Sequence, residues 1–256
     1  MSIKKLTNKS RVAIVTGGSK NIGLSICAAL LKNNIKVAAV GSNQDSIMNA
    51  FKDPRIHNSN ESDIKGYVCD LSKTKDIYHL VDRVISDFGK IDIIINSAGV
   101  LDLSSIEETS IDIWNNAIAT NLSAPFFLVQ NALEQLKKSH APRVINISSN
   151  AGRMGGYANG MSYTASKGGL ISLTYGLARQ LAEWNITVNC VAPGTIESDM
   201  LDARSASTKS NLLKRFPLKR FGDCDEVAEA VMYFVSESSG FTTGAVLDVN
   251  GGLFTG

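Results

Sequence analysis

The stretch RVAIVTGGSKNIGLSICAALLKNN (Arg11–Asn34) decides the fold. Its first six residues, Arg11–Thr16, form a short β-branched run that stops at Gly17-Gly18. From Ile22 onward the apolar residues recur with the period of a helix. A strand, a glycine turn and a helix therefore follow one another without a break. Glycines let the backbone turn sharply and approach a ligand closely, and the helix N-terminus presents free N–H groups and a positive dipole end. That combination suits a pyrophosphate. Taken alone, an ordinary strand–helix turn reads the same way.

Outward from this unit the alternation continues. Lys36–Val40 reads as a second strand, and residues 42–65 as a polar, irregular segment with room for a short helix. Tyr67–Cys69 reads as a third strand, Lys73–Phe88 as an amphipathic helix and Ile91–Asn96 as a fourth strand. A long helix, Ile111–Lys138, runs through Asn121. Val144–Ser148 is a fifth strand, Ser162–Trp184 a second long helix and Thr187–Ala192 a sixth strand. Asp225–Val235 is a helix whose start has the capping-box pattern, Asp223 with Glu226 three residues on, and Ala245–Val249 is the last strand. Strands that are apolar throughout and separated by helices imply a parallel sheet covered on both faces. No internal repeat or linker interrupts them. The expected fold is α/β: a doubly wound, Rossmann-type, mostly parallel seven-stranded sheet in a single domain spanning 1–256.

The bulk numbers agree. Of 256 residues, 44% are hydrophobic, enough for a large core, and the net charge of +2 lacks the basic excess of a nucleic-acid binder. Cys27, Cys69, Cys190 and Cys224 are scattered, with no C-x-x-C spacing and no histidine cluster beside them, so neither a metal site nor a disulfide framework is expected. No apolar run has the length of a signal peptide or a membrane span. A cytoplasmic protein without a membrane partner is the expectation.

Tyr163 and Lys167, in the run SYTASKGG, lie four residues apart on a helical pattern, so both side chains share one face. At ~4 Å and an effective dielectric of ~20, an ammonium stabilises a phenolate by about 4 kcal/mol, or roughly three pKa units. A tyrosine tuned that far exchanges protons near neutrality. An isolated pair of this spacing is more often a surface contact; the rest of the chain changes its weight.

Thr16-Gly17-Gly18-Ser19-Lys20-Asn21-Ile22-Gly23, Asp70 with Leu71, Asn96-Ser97-Ala98-Gly99, Asn121, the Ser148-Ser149 pair, Tyr163-x-x-x-Lys167 and Pro193-Gly194 with Thr195, Ile196 and Ser198 follow in order along the chain. Each sits at the carboxyl end of an expected strand or on the adjoining helix, the edge where doubly wound sheets bind ligands. With these motifs the chain resembles a short-chain dehydrogenase/reductase over about residues 10–254. Asn21 stands where the middle glycine of the turn is usual, and asparagine is the next most tolerant residue of a left-handed backbone. Ser97 replaces the second asparagine of the N-N-A-G segment.

The resemblance implies a catalytic set of Asn121, Ser149, Tyr163 and Lys167. Tyr163 would exchange the proton, Lys167 would lower its pKa and hold the nicotinamide ribose, and Ser149 would hold the carbonyl oxygen. Asn121 would keep a water that links Lys167 to solvent. Ser148 is the alternative to Ser149. The implied cofactor contacts are Gly17, Ser19, Lys20, Asn21, Ile22, Gly23, Ser42, Asn43, Asp70, Leu71, Asn96, Ala98, Gly99, Tyr163, Lys167, Pro193, Gly194 and Ile196. No metal is implied. An acid at the end of the second strand would bind the NAD ribose, but this chain has Gly41-Ser42-Asn43, with no acid until Asp45. With Lys20 in the glycine turn, NADP(H) is expected over NAD(H).

Residues 194–221 correspond to the substrate lid of that family. The part from 201 to 221 holds Arg204, Lys209, Lys214, Arg215, Lys219 and Arg220 against Asp202. The C-terminal half most resembles β-ketoacyl-(acyl carrier protein) reductases. The expected substrate is therefore a small carbonyl or alcohol compound, with a CoA or carrier-protein thioester the leading form. A polyol, sugar or cyclic alcohol dehydrogenase is the alternative, and a non-catalytic NADP-sensing regulator the alternative of another class. The resemblance also implies a homotetramer through the two long helices and the last helix and strand.

Overall fold

The computed structural model describes residues 10–57, 59–60, 62–157, 159–202 and 205–256. In chain order the strands and helices are β1 (Val12–Thr16), α1 (Asn21–Lys32), β2 (Lys36–Gly41), α2 (Gln44–Ala50), β3 (Ile64–Val68), α3 (Thr74–Phe88) and β4 (Ile93–Asn96). Then come α4 (Ile111–Ile118), a π turn (Ala119–Ser123), α5 (Ala124–Leu136), β5 (Arg143–Ile147), α6 (Asn150–Met154) and α7 (Met161–Leu181). The chain ends with β6 (Thr187–Pro193), α8 (Asp199–Asp202), α9 (Ala206–Leu213), α10 (Cys224–Val235) and β7 (Val246–Val249).

The strands form one parallel sheet in the order β3-β2-β1-β4-β5-β6-β7. Along β1, Val12 and Ile14 enter one core, while Ala13 and Val15 enter the other. The first core is closed by apolar residues of α3, α5 and α7, such as Leu80, Leu128 and Leu177; the second by residues of α1 and α10, such as Leu30 and Val231. Both faces are covered, which is why the strands carry no polar alternation. Each fully buried Leu, Ile or Val contributes about 1.5–3 kcal/mol relative to exposure.

Most boundaries fall within two residues of the sequence reading; β3 and the long helix through Asn121 depart further, and α6, α8 and α9 add to it. β3 begins at Ile64, three residues before the expected Tyr67, because its pairing starts opposite Val37 of β2. It is an edge strand, and Lys65 and Gly66 disguise its start. The long helix through Asn121 is interrupted by the π turn, so the Ala124 N–H bonds back five residues to Ala119. Cys224 and Asp225 open α10 with the expected capping box: the Asp223 N–H donates 2.8 Å to Glu226, and the Asp225 N–H donates 2.9 Å to Asp223.

The strand order reverses between β1 and β4. After β1 the chain builds β2 and β3 to one side, then crosses over to place β4 on the other. A crevice opens at such a switch point beyond the carboxyl ends of the strands. The register aligns Thr16 with Asn96, Asn96 with Asn146, and Asn146 with Cys190. The segments that follow these residues therefore meet at one edge.

Candidate active site

The first turn is built as its sequence requires. Gly17 has φ +67°, and a Cβ there would press on the Ala98 backbone; Asn21 takes φ +49° in place of a glycine. A Cβ on Gly23 would overlap the Gly17 carbonyl, so α1 lies directly against the turn. The start of α1 has no side-chain cap and no acid in its first turn. Its N–H groups are left for an anion, which fits the pyrophosphate of a dinucleotide. Thr16 ties the next segment in place: its Oγ1 accepts the N–H groups of Ser97 and Ala98, each at 3.1 Å.

Of the residues expected at the site, Ile22, Gly99, Ser149, Tyr163, Lys167, Pro193, Gly194 and Ile196 line one cleft, together with Ser148. Tyr163 and Lys167 share the inward face of α7. The Lys167 ammonium is buried, donates 2.8 Å to the Ile147 carbonyl at the end of β5, and lies 5.8 Å from the centre of the Tyr163 ring. Burial lowers its pKa to about 8. Gly99 leaves room for this amine: a Cβ there would come within 3.2 Å of Nζ.

The two serines differ. Ser148 donates 2.7 Å to the Lys167 carbonyl, so its hydroxyl is turned into the packing between β5 and α7. Ser149 caps α6, accepting the Ala151 N–H at 3.1 Å and donating to the Asn150 amide oxygen at 3.2 Å. Both serines line the cleft.

Asn121 is wholly buried behind the wall. Its Oδ1 accepts the Val100 N–H at 2.8 Å, and its Nδ2 donates to the Val100 carbonyl and to Ser166, each at 3.0 Å. Its side chain is thus engaged with protein, both N–H groups of the amide donating within the subunit. Asn96 is also buried: its amide donates 2.8 Å to Asn146, which donates 2.9 Å to Thr174. Ser19, Lys20 and Asn21 line a neighbouring depression, where the Lys20 ammonium stands 3.7 Å from Asp199. Ser42 is exposed, and Asn43 caps α2 by accepting the Ser46 N–H at 2.8 Å. Asp70 is exposed and bends the turn after β3, accepting the Ser72 hydroxyl at 2.6 Å and pairing with Lys73 at 3.0 Å. Leu71 rests on the core.

The neck of the expected lid is closed by backbone bonds. The Gly222 N–H donates 3.0 Å to Thr195, and the Glu197 N–H donates 2.9 Å to Gly222. Several lid cations are already engaged. Lys209 meets Asp202 at 2.8 Å, Arg220 grips both oxygens of Glu226, and Arg215 stacks 3.8 Å from the centre of the Tyr157 ring. Arg204 lies outside the described residues. Within the long helices, Ala117, Ala124, Ala132 and Ala178 are buried in the subunit, and Gly169 packs on Leu122; Gly176 faces open space.

Sequence reasoning passed over Asp102, Asn150 and Ser166, which brace the residues above. Asp102 and Asn150 belong to no motif, and Ser166 is only a spacer position within Tyr163-x-x-x-Lys167. The arrangement can hold a carbonyl oxygen between two hydroxyls, deliver a proton from one of them, and accept an anion at the start of α1. Among the described residues, no cluster of three or more His, Cys, Asp or Glu could hold a metal ion, and no helix is long and apolar enough to cross a membrane.

The sequence model of one protein family, described as short chain dehydrogenase, matches residues 11–209. Among curated proteins, the chain is similar to the 3-oxoacyl-[acyl-carrier-protein] reductase FabG of Salmonella typhimurium, at 33% identity over 246 residues. It is 34% identical to the same reductase of Escherichia coli K12 over 248 residues, and 35% identical to that of Staphylococcus aureus Mu50 over 251 residues. Each alignment covers 96% of this chain and 98% of the relative.

Proposed function

The chain belongs to the short-chain dehydrogenase family and is a nicotinamide-dependent oxidoreductase; from that premise we propose that it reduces a 3-oxoacyl thioester with NADPH. The observation that carries this reading is the convergence of Ser149, Tyr163 and Lys167 on one cleft flanked by Gly99 and Gly194. Similarity to the reductases named above supports the substrate class.

In this reading the uncapped start of α1, with Ser19, Asn21 and Gly23, holds the pyrophosphate. Ser42, Asn43 and Lys20 receive the 2′-phosphate, and Asp70 and Leu71 flank the adenine. Asn96, Ala98, Pro193, Gly194 and Ile196 form the nicotinamide end. The bound nicotinamide supplies the hydride. Ser149 turns its hydroxyl from Asn150 to the substrate carbonyl oxygen, a preorganised donor for the developing alkoxide. Tyr163 delivers its phenolic proton to that oxygen, so the carbonyl gains a hydride at carbon and a proton at oxygen and becomes an alcohol. Lys167 then holds the phenolate, and the buried Asn121–Ser166 bonds keep the helix in register while Tyr163 is reprotonated.

A single domain spanning 1–256, with a lid over 194–221, a cytoplasmic setting and a homotetramer of D2 symmetry complete the proposal. Exposed Phe126, Tyr175, Tyr233 and Leu247 on α5, α7, α10 and β7 suit such contacts. Light scattering that reports a monomer at micromolar concentration would remove the tetramer. A second reading, oxidation of a polyol or cyclic alcohol, is favoured by Asn150 and Asn159, two amides that line the cleft.

The test is NADPH absorbance with acetoacetyl-CoA, alongside NADH and Tyr163→Phe. Consumption that requires NADPH and Tyr163 is the expected result. Retained NADPH binding without consumption would remove thioester reduction and lead to a panel of alcohols with NADP⁺.

A further inference from the structure

The loop after β4 carries a carboxylate that none of the motifs includes. Asp102 is 8% exposed and lies against the start of α7, the helix that bears Tyr163 and Lys167. One carboxylate oxygen accepts the Ser162 hydroxyl at 2.6 Å, and Ser162 immediately precedes Tyr163. The other accepts the Ser104 N–H at 2.8 Å and the Ser104 hydroxyl at 2.5 Å. The Asp102 backbone carbonyl accepts the Gly160 N–H at 2.8 Å.

Gly160 is the N-cap of α7 and has no side chain to cap it, and a Cβ there would overlap the Asp102 carboxylate. The glycine is what admits the charge. The carboxylate thus fills the space beside the N-cap glycine, at the positive end of a 21-residue helix. Burial pushes the Asp102 carboxyl up, but the bonds from Ser104 and Ser162 outweigh it and keep it below its ordinary value. The same loop is held two residues earlier, where Asn121 bonds both the N–H and the carbonyl of Val100. Asn121 also bonds Ser166, whose hydroxyl donates 2.8 Å to the Tyr163 carbonyl. Tyr163 is therefore gripped from its N-terminal side through Ser162, by the loop that carries Asp102, and from its C-terminal side through Ser166, by Asn121, which is itself bonded to that loop at Val100.

We propose that Asp102 is a positioning residue that fixes the first turn of α7, and with it the Tyr163 phenol, through Ser162 and Gly160. The proposal rests on Tyr163 being the proton donor. A displacement of the order of 1 Å at a reacting group can cost about a hundredfold in rate. A bond that only stabilised the fold would lower the melting temperature without slowing the folded enzyme.

The experiment compares wild type, Asp102→Asn, Ser162→Ala and Tyr163→Phe, using NADPH with acetoacetyl-CoA and with 4-deuterated NADPH. Asp102→Asn is expected to lower kcat tenfold to a hundredfold and Ser162→Ala about tenfold. KM and the NADPH dissociation constant should stay within about twofold, and the deuterium isotope effect on kcat should rise. The ultraviolet titration of the Tyr163 phenol needs no substrate; it is obtained as the difference from Tyr163→Phe with NADP⁺ bound. Ser162→Ala, which keeps the carboxylate, should raise its midpoint. Unchanged kcat, isotope effect and phenol midpoint in a Ser162→Ala protein that only melts earlier would overturn the proposal. If Asp102→Asn does not fold, Ser162→Ala alone decides. A Tyr163→Phe enzyme that still turns over would instead remove the reading on which the proposal rests.

Discussion

Lys167 lies one helical turn beyond Tyr163 on the buried face of α7, its ammonium 5.8 Å from the centre of the Tyr163 ring. Its backbone acceptor, the Ile147 carbonyl at 2.8 Å, is the last of β5, so the amine is fixed at the strand edge where the cleft begins. A cation held there favours a phenolate beside it. Tyr163→Phe keeps the ring and removes the proton. Its kcat with NADPH and a carbonyl substrate should fall by about a hundredfold to ten-thousandfold, the usual worth of a general acid, with NADPH affinity nearly unchanged. Stopped-flow absorbance and fluorescence titration read the two quantities.

The same lysine makes stability depend on pH. Burial lowers Lys167 from 10.5 to about 8. Between these values the unfolded chain binds more protons than the folded one, so this group makes stability rise with pH. Below pH 8 the whole penalty of burying the charge is present, and above 10.5 it is gone. Lys167→Met removes the charge in both states. Its stability relative to wild type, without cofactor, should be highest below pH 8 and fall by about 3 kcal/mol on going to pH 10.5. Melting curves of the two proteins that run parallel across this range would contradict the assignment.

Gly23 is the point at which α1 touches the glycine turn. Gly23→Ala places a methyl group against the Gly17 carbonyl, which has no flexible neighbour to yield. Separation of the helix from the turn moves the N–H groups that would meet a pyrophosphate. The variant should lose at least about 1–3 kcal/mol of stability and weaken NADPH binding more than tenfold. Calorimetry with and without NADPH separates the two effects.

Ser42 stands exposed at the end of β2, on the edge where a ribose 2′ position is read. Ser42→Asp introduces the acid that this chain lacks. A carboxylate there repels a phosphate and accepts hydroxyls, so the ratio of kcat/KM for NADPH over NADH should fall by at least tenfold. Unchanged preference would remove Ser42 from the cofactor contacts.

Much of this was legible in the chain. The strand–helix alternation, the glycine turn and the capping box at Asp223 follow from local rules that act within a few residues, and the structure bears them out. Boundaries shift where the deciding partner is remote. Lys65 and Gly66 look like a loop until β2 offers them a ladder. The π turn at Ala119–Ser123 leaves no mark in Ala-Thr-Asn-Leu-Ser, because a single extra residue in the hydrogen-bond ladder needs no special side chain.

The sequence by itself determined the fold class, the order of the motifs and the pairing of Tyr163 with Lys167 on one helical face. Each depends on residues close in the chain, or on a pattern that any parallel sheet repeats. Only the tertiary structure gave the adjacent serines different partners, Ser148 donating to the Lys167 carbonyl and Ser149 accepting the Ala151 N–H. Only it engaged the Asn121 amide with Val100 and Ser166, and brought Asp102 to the start of α7 across sixty positions of chain. Adjacent hydroxyls and a lone aspartate carry no periodicity. Their partners are set by which groups the packed helices and strands bring within hydrogen-bond reach of them.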